Sequence, residues 1–115
     1  MILTLPWPSP ALHAHAKGDR WTKIKATKKY RRDCWLLALV AKVARDPQAV
    51  LTITYHPPNL RRRDAQNMPY SCKPLIDGIA DAMKCDDHGF KVRYPDSFAG
   101  PVKGGAVVVK IGGGE

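Results

Sequence analysis

The sequence predicts an α+β fold: a small mixed β-sheet packed by two α-helices, in a single domain over residues 1–115. Three observations carry this expectation. Apolar patterning alternates between period two and helical spacing in the order strand, helix, strand, helix, strand, strand. A chain of 115 residues has room for one core and none for a separate cofactor-binding domain. Its 44% hydrophobic residues can fill that core without staples.

Each element has a local reason. Ile2-Leu3-Thr4-Leu5-Pro6-Trp7 reads as a first strand, stopped by prolines that lack the N–H a ladder needs. Residues 8–26 show no period. Thr27 is the expected N-cap of a first helix over 28–45, with an apolar stripe of Trp35, Leu36, Leu39, Val40 and Val43, ended by Asp46-Pro47. Residues 50–56 set Leu51, Ile53 and Tyr55 against Thr52, Thr54 and His56, the alternation of a half-buried strand, closed by Pro57-Pro58. A second helix starts between 67 and 74, because Pro69 and Pro74 suit a first turn, and runs to about 84 with Leu75, Ile76, Ile79 and Met83 inward. Phe90-Lys91-Val92-Arg93-Tyr94 alternates as a third strand after a turn at 85–89. Gly104-Gly105 precedes the last strand over 106–111, and the glycine-rich tail is expected to fray.

Charge and cysteine usage narrow the function classes. The net charge is +9, a field that attracts polyanions such as nucleic acid. Residues 17–32 hold eight Lys or Arg against Asp19 alone, with Trp21 and Tyr30 interleaved, which reads as a basic arm leading into the first helix. Cys34, Cys72 and Cys85 make an odd count without C-x-x-C spacing, arguing against a disulfide framework and a zinc ribbon and for reduced, buried thiols. His13 and His15, taken with Cys34 or His88, lack finger or catalytic zinc spacing. Ala14-His15-Ala16 resembles a signal-peptide cleavage site, but no basic segment precedes it and Pro6, Pro8 and Pro10 break any apolar run. The longest apolar run, 35–41, is far below the roughly 20 residues a membrane span needs. A cytoplasmic protein with no membrane association and no organic cofactor is the expectation.

Acids are scarce, with ten in all, and five lie between 64 and 87 as Asp64, Asp77, Asp81, Asp86 and Asp87. An acidic focus in a basic field suits a metal-dependent nuclease, in which hard carboxylate oxygens seat Mg²⁺ and surrounding cations hold the phosphodiester. Asp64 and Gln66, two apart on an extended segment, would point the same way. Plainer readings stand beside this one. Asp77 and Asp81 fall off the apolar stripe and read as a solvated helix face, with Asp77 paired to Lys73 four residues earlier. Asp86-Asp87 before His88-Gly89 reads equally as turn chemistry. Arg61, Arg62 and Arg63 directly before an aspartate favour phosphate contacts over a merely solvated run. Trp7, Trp21 and Tyr30 could stack on bases, although Trp7 after an apolar strand reads as core.

Leu5-Pro6-Trp7-Pro8, the Arg61-Arg62-Arg63-Asp64-x-Gln66-Asn67 loop, the Lys73-x-x-x-Asp77 helix and the Asp86-Asp87 turn, in that order over nearly the whole chain, resemble the RusA family of Holliday junction resolvases. The resemblance implies a RusA-like fold and a small homodimeric endonuclease that binds four-way DNA junctions and resolves them by paired symmetric nicks with Mg²⁺ or Mn²⁺. It implies Asp64 as a metal ligand, Asp87 or its neighbour Asp86 as a second, and Lys73 as the cation that steadies the phosphate. Asn67 would order the loop or touch DNA. Arg61, Arg62 and Arg63, with Lys17, Arg20, Lys23 and Lys25 of the basic arm, would grip the backbone.

Two departures stand out. Gln66 occupies the place of a second family carboxylate; its amide oxygen can ligate a hard cation but carries no charge. The step from Asn67 to Lys73 is three residues longer than in the short family form, close to one helical turn. Gln66 motivates an alternative, a catalytically weakened or inactive junction-binding protein. An RNA-binding or ribosome-associated protein fits the composition and leaves the acidic focus unexplained.

Overall fold

The computed structural model describes residues 1–13 and 17–112. The Ala14-His15-Ala16 triplet and the end of the glycine-rich tail with Glu115 lie outside the described residues. The expected architecture is present. Strands β1 (Ile2–Pro6), β2 (Val50–His56), β3 (Lys91–Arg93) and β4 (Ala106–Ile111) form one mixed sheet in the order β1-β4-β2-β3. β4 is antiparallel to both β1 and β2, with Leu5 opposite Val107 and Ile53 opposite Val109. β3 runs parallel to the start of β2, with Val92 opposite Leu51. Period-two burial puts Leu3, Leu5, Leu51, Ile53, Tyr55, Val107 and Val109 on one face, where they share a core with two helices.

The helices are α1 (Arg20–Val40) and α2 (Met68–Met83). They lie side by side and run the same way, since Lys23 meets Tyr70 near their starts and Arg31 meets Asp81 further on. α2 matches its expected span. Its inward residues include Leu75, Ile76, Ile79 and Met83, and it tolerates Pro69 at its start and Pro74 in its second turn.

α1 corrects the sequence reading twice. It begins at Arg20, not 28, because Asp19 caps it by accepting the Thr22 N–H at 2.7 Å. Thr27 is interior, its hydroxyl donating to the Lys23 carbonyl at 2.8 Å. The supposed basic arm is therefore largely the first three turns of a helix. α1 ends at Val40, where Lys42 takes the left-handed conformation (φ 59°) and the Val43 and Lys42 N–H groups return to the Ala38 and Leu39 carbonyls.

The expected stripe is also displaced, since α1 turns Tyr30, Cys34 and Ala38 into the core and leaves Leu36, Leu37, Leu39 and Val40 exposed. Small residues face inward because α2 comes very close. A Cβ added at Gly78 would sit 2.6 Å from the Arg31 carbonyl oxygen. Among the described residues no helix is long and apolar enough to cross a membrane.

Candidate functional site

The loop that follows β2 is built by its own polar groups. Asn59 accepts the Arg61 N–H at 3.0 Å. The Arg63 guanidinium folds back onto the Asn59 side chain at 2.9 Å and onto the carbonyls of Asn59 and Arg61 at 3.1 and 2.9 Å. It also lies 5.7 Å from the Trp7 ring centre. Arg63 thus shapes the loop, while Arg61 and Arg62 stay exposed.

Asp64 next caps a short turn, Ala65–Asn67, accepting the Gln66 N–H at 2.9 Å and approached by the Asn67 amide at 3.5 Å. The turn, not an extended segment, is what gathers Asp64 and Gln66.

Asp64 and Gln66 share an open cleft of about 570 Å³ with Arg62, Arg63, Ala65, Asp96, Ser97 and Phe98. The far lining belongs to the connection between β3 and β4, which is strapped over the end of β2. The Ala99 N–H donates to the Tyr55 carbonyl at 2.9 Å, Val102 to Pro57 at 3.0 Å, and His56 Nδ1 to the Gly100 carbonyl at 2.9 Å. Phe98 wedges between Tyr55 and Trp7, with ring centres 5.8 and 6.4 Å away. Asp96 lines the cleft without having been singled out in the sequence reading. It lies outside the 64–87 cluster, and Tyr94-Pro95-Asp96-Ser97 carries only a turn signal in the sequence.

A second constellation lies along the seam of the helices. The Lys73 ammonium donates to Asp77 Oδ1 at 2.7 Å and to Asp87 Oδ2. Arg31 makes a two-pronged bond to Asp81 at 2.7 and 2.9 Å and lies 4.0 Å from Asp77 Oδ2. Asp87, Lys73, Asp77, Arg31 and Asp81 thus form one row of alternating charge. The hydrogen bond from Lys73 holds the Asp87 carboxyl below its ordinary range, against a smaller opposing effect of burial. Desolvation pulls Lys73 down, but hydrogen bonds to Asp77 and Asp87 prevail and carry it above its usual value. Lys73 therefore stays cationic.

The structure separates the two acids that the sequence reading left paired. Asp86 caps the turn Asp87–Gly89, accepting the His88 N–H at 3.0 Å, whereas Asp87 reaches Lys73. Asp77 pairs with Lys73 one turn earlier on α2, as expected of a solvated helix face, and the exposed Asp81 adds what the sequence did not suggest, a bond across the seam to Arg31. Arg31 leaves the pool of backbone-gripping cations, while Lys17, Arg20 and Lys25 remain exposed on or just before the first turns of α1 and Lys23 binds the Tyr70 hydroxyl at 2.7 Å. Tyr30 is withdrawn from base stacking, because it is buried with its hydroxyl on the Pro6 carbonyl at 2.7 Å; Trp21 is 69% exposed. Cys72 is buried as expected and Cys34 with it, while Cys85 is only half-buried; burial pushes the Cys34 and Cys72 thiols up to about 12, so they stay protonated.

Among the described residues no three His, Cys, Asp or Glu side chains are grouped as a protein-only metal cage requires, and no zinc set forms around His13, Cys34 or His88. The cleft's lining does not include Asp86 or Asp87. Mg²⁺ needs less than a cage: one or two carboxylates suffice when water and a substrate phosphate complete its octahedron. Asp64, Asp96 and the Gln66 amide oxygen in one open cleft fit that looser requirement in donor chemistry.

A protein of Xylella fastidiosa (strain Temecula1 / ATCC 700964), carried under the name "Uncharacterized protein", is 34% identical over 116 residues, covering 96% of this chain and 75% of its own length. The chain belongs to that protein's family. No family profile matches the chain, so the likeness to the RusA resolvases rests on the motif residues and their order.

Proposed function

We propose that this protein is a RusA-type endonuclease that binds four-way DNA junctions and resolves them by paired, symmetric phosphodiester hydrolysis with Mg²⁺ or Mn²⁺. The observation that carries the reading is the meeting of Lys73 with Asp87, fourteen residues apart in sequence, in one ion pair. These are two of the residues that the family likeness singles out. Asp64, with the Gln66 amide and Asp96, would hold the ion, whose contribution is to activate water and to stabilise charge developing on the phosphate. The chain's own residues do the rest. Arg62 on the cleft rim and the cations at the start of α1 draw in the DNA backbone. Lys73, kept cationic by its hydrogen bonds to Asp77 and Asp87, supplies a positive group for a phosphate oxygen.

A substrate with two equivalent strands calls for two sites related by the same symmetry, so the working form is a homodimer. The exposed Leu36, Leu37, Leu39 and Val40 support a second copy as the partner. Leu36 and Leu37 also line an apolar cleft with Leu5, Pro6 and Ala106.

The test is incubation of the purified protein with labelled four-way junction and with linear duplex, with and without Mg²⁺. Paired nicks in the junction alone are expected. Asp64→Asn should abolish them and leave junction binding intact or tighter, because a carboxylate facing the phosphates is neutralised; nicking at the parental rate by this variant would overturn the assignment. A second reading, a weakened or inactive junction binder, is favoured by Gln66 and by the lack of a three-acid group among the described residues. Gln66→Asp separates the two: a large gain in nicking marks a weakened nuclease, and inactivity of both forms marks a binder. Competition with RNA of equal length checks the RNA-binding class.

A further inference from the structure

We propose that Asp77 is a positioning residue of this site: braced by the Arg31 and Asp81 pair, it keeps the Lys73 ammonium aimed when Asp87 turns to another partner. The inference rests on the nuclease reading for its chemistry, and on geometry for its content. Lys73 is a long, flexible side chain, 56% exposed, whose hydrogen-bond partners among the described residues are two carboxylates.

The two carboxylates differ in kind. Asp87 sits on a short turn after α2, whereas Asp77 lies one turn from Lys73 on the same helix, half-buried, with its other oxygen 4.0 Å from Arg31. Were Asp87 to give up the ammonium to another partner, Asp77 would be the tether that remains, one turn away on the helix that carries Lys73. The fork of Arg31 on Asp81 places its guanidinium 4.0 Å from Asp77. An isolated ion pair on a helix surface adds little to stability. The Lys73–Asp77 pair, exposed and one turn apart on one helix, therefore acts on the placement of Lys73 more than on the fold.

The experiment is a double-mutant cycle read by single-turnover cleavage of labelled junction with protein in excess. Asp77→Asn should slow cleavage about 10- to 100-fold, as loss of a group that orients an active side chain does, with junction affinity within about twofold and an unchanged melting temperature. In the Lys73→Gln background the same change should cost nothing further, since Asp77 acts through Lys73. Parental rates in Asp77→Asn, or deficits that multiply in the double variant, would overturn the proposal.

If the parental protein does not nick the junction, the nuclease reading fails, and the positional claim is decided by ¹³C-lysine NMR instead. The two Hε protons of Lys73 should be inequivalent in the parental protein and averaged in Asp77→Asn; indistinguishable spectra would sink it.

Discussion

The pairing of Lys73 with Asp87 exists only while one is a cation and the other an anion, which ties it to a definite pH window. Asp87 titrates below its ordinary value of 3.8 in the folded protein, so its contribution is complete above that value and is lost as pH falls through the lowered one. Lys73 titrates above its ordinary 10.5, so its contribution is complete below that value and fades as pH rises through the raised one. Urea midpoints of the parental protein and Asp87→Asn should therefore differ by a constant amount between these limits, and the gap should close on acidification. A gap that is unchanged at lower pH would contradict the pairing.

At this scale the sequence was informative about identity and weak about company. Asp64, Gln66, Lys73 and Asp87 were singled out from residue type and order, and Lys73 with Asp77 followed from helical spacing. Asp96 had no such signal, because a loop strapped across the end of β2 brings it to the cleft. Arg31 looked like one more cation of a basic run. Its bond to Asp81 joins residues fifty positions apart, which no local pattern encodes.

Among the elements, the contact between α1 and α2 makes the sharpest claim. At Gly78 the atoms that an added methyl group would meet include backbone of α1, the Arg31 carbonyl at 2.6 Å and the Trp35 nitrogen at 3.0 Å. Gly78→Ala should destabilise the protein by about 1–3 kcal/mol through overpacking. Helix propensity alone would instead favour alanine by about 1 kcal/mol. Thermal or denaturant unfolding decides between them by sign, and a more stable variant would mean that the helices are less tightly apposed.

This contact also explains the largest miss in reading the elements. The strands and α2 were legible because one buried face imposes alternation or a continuous apolar stripe. α1 buries Cys34 and Ala38 and shows Leu36, Leu39 and Val40 to solvent, so of the expected stripe only Trp35 and Val43 pack against the core. Its start was missed because Asp19 is a cap without an apolar run behind it.

For the molecule as a whole, a net charge of +9 on a body of 115 residues makes salt the natural probe of binding. Affinity for junction DNA should fall linearly on a log–log plot against salt, with a slope of about −0.9 per phosphate neutralised. Arg62→Gln should shrink that slope by about one unit. Arg31→Gln should leave it unchanged, because Asp81 already neutralises that guanidinium. Equal effects of the two substitutions would show that the charged seam faces the nucleic acid directly. The mixed two-layer fold was readable from the order of elements, whereas the choice of which cations stay available was not, since it depends on pairings made across the finished fold.

Gly78 has one further consequence. By letting two helices seat backbone against backbone, it makes their shared edge behave as a single stiff plate on which the spacing of ionic groups is settled when the chain folds. The Arg31 bond to Asp81 then joins two helices whose separation is already set by the contact at Gly78.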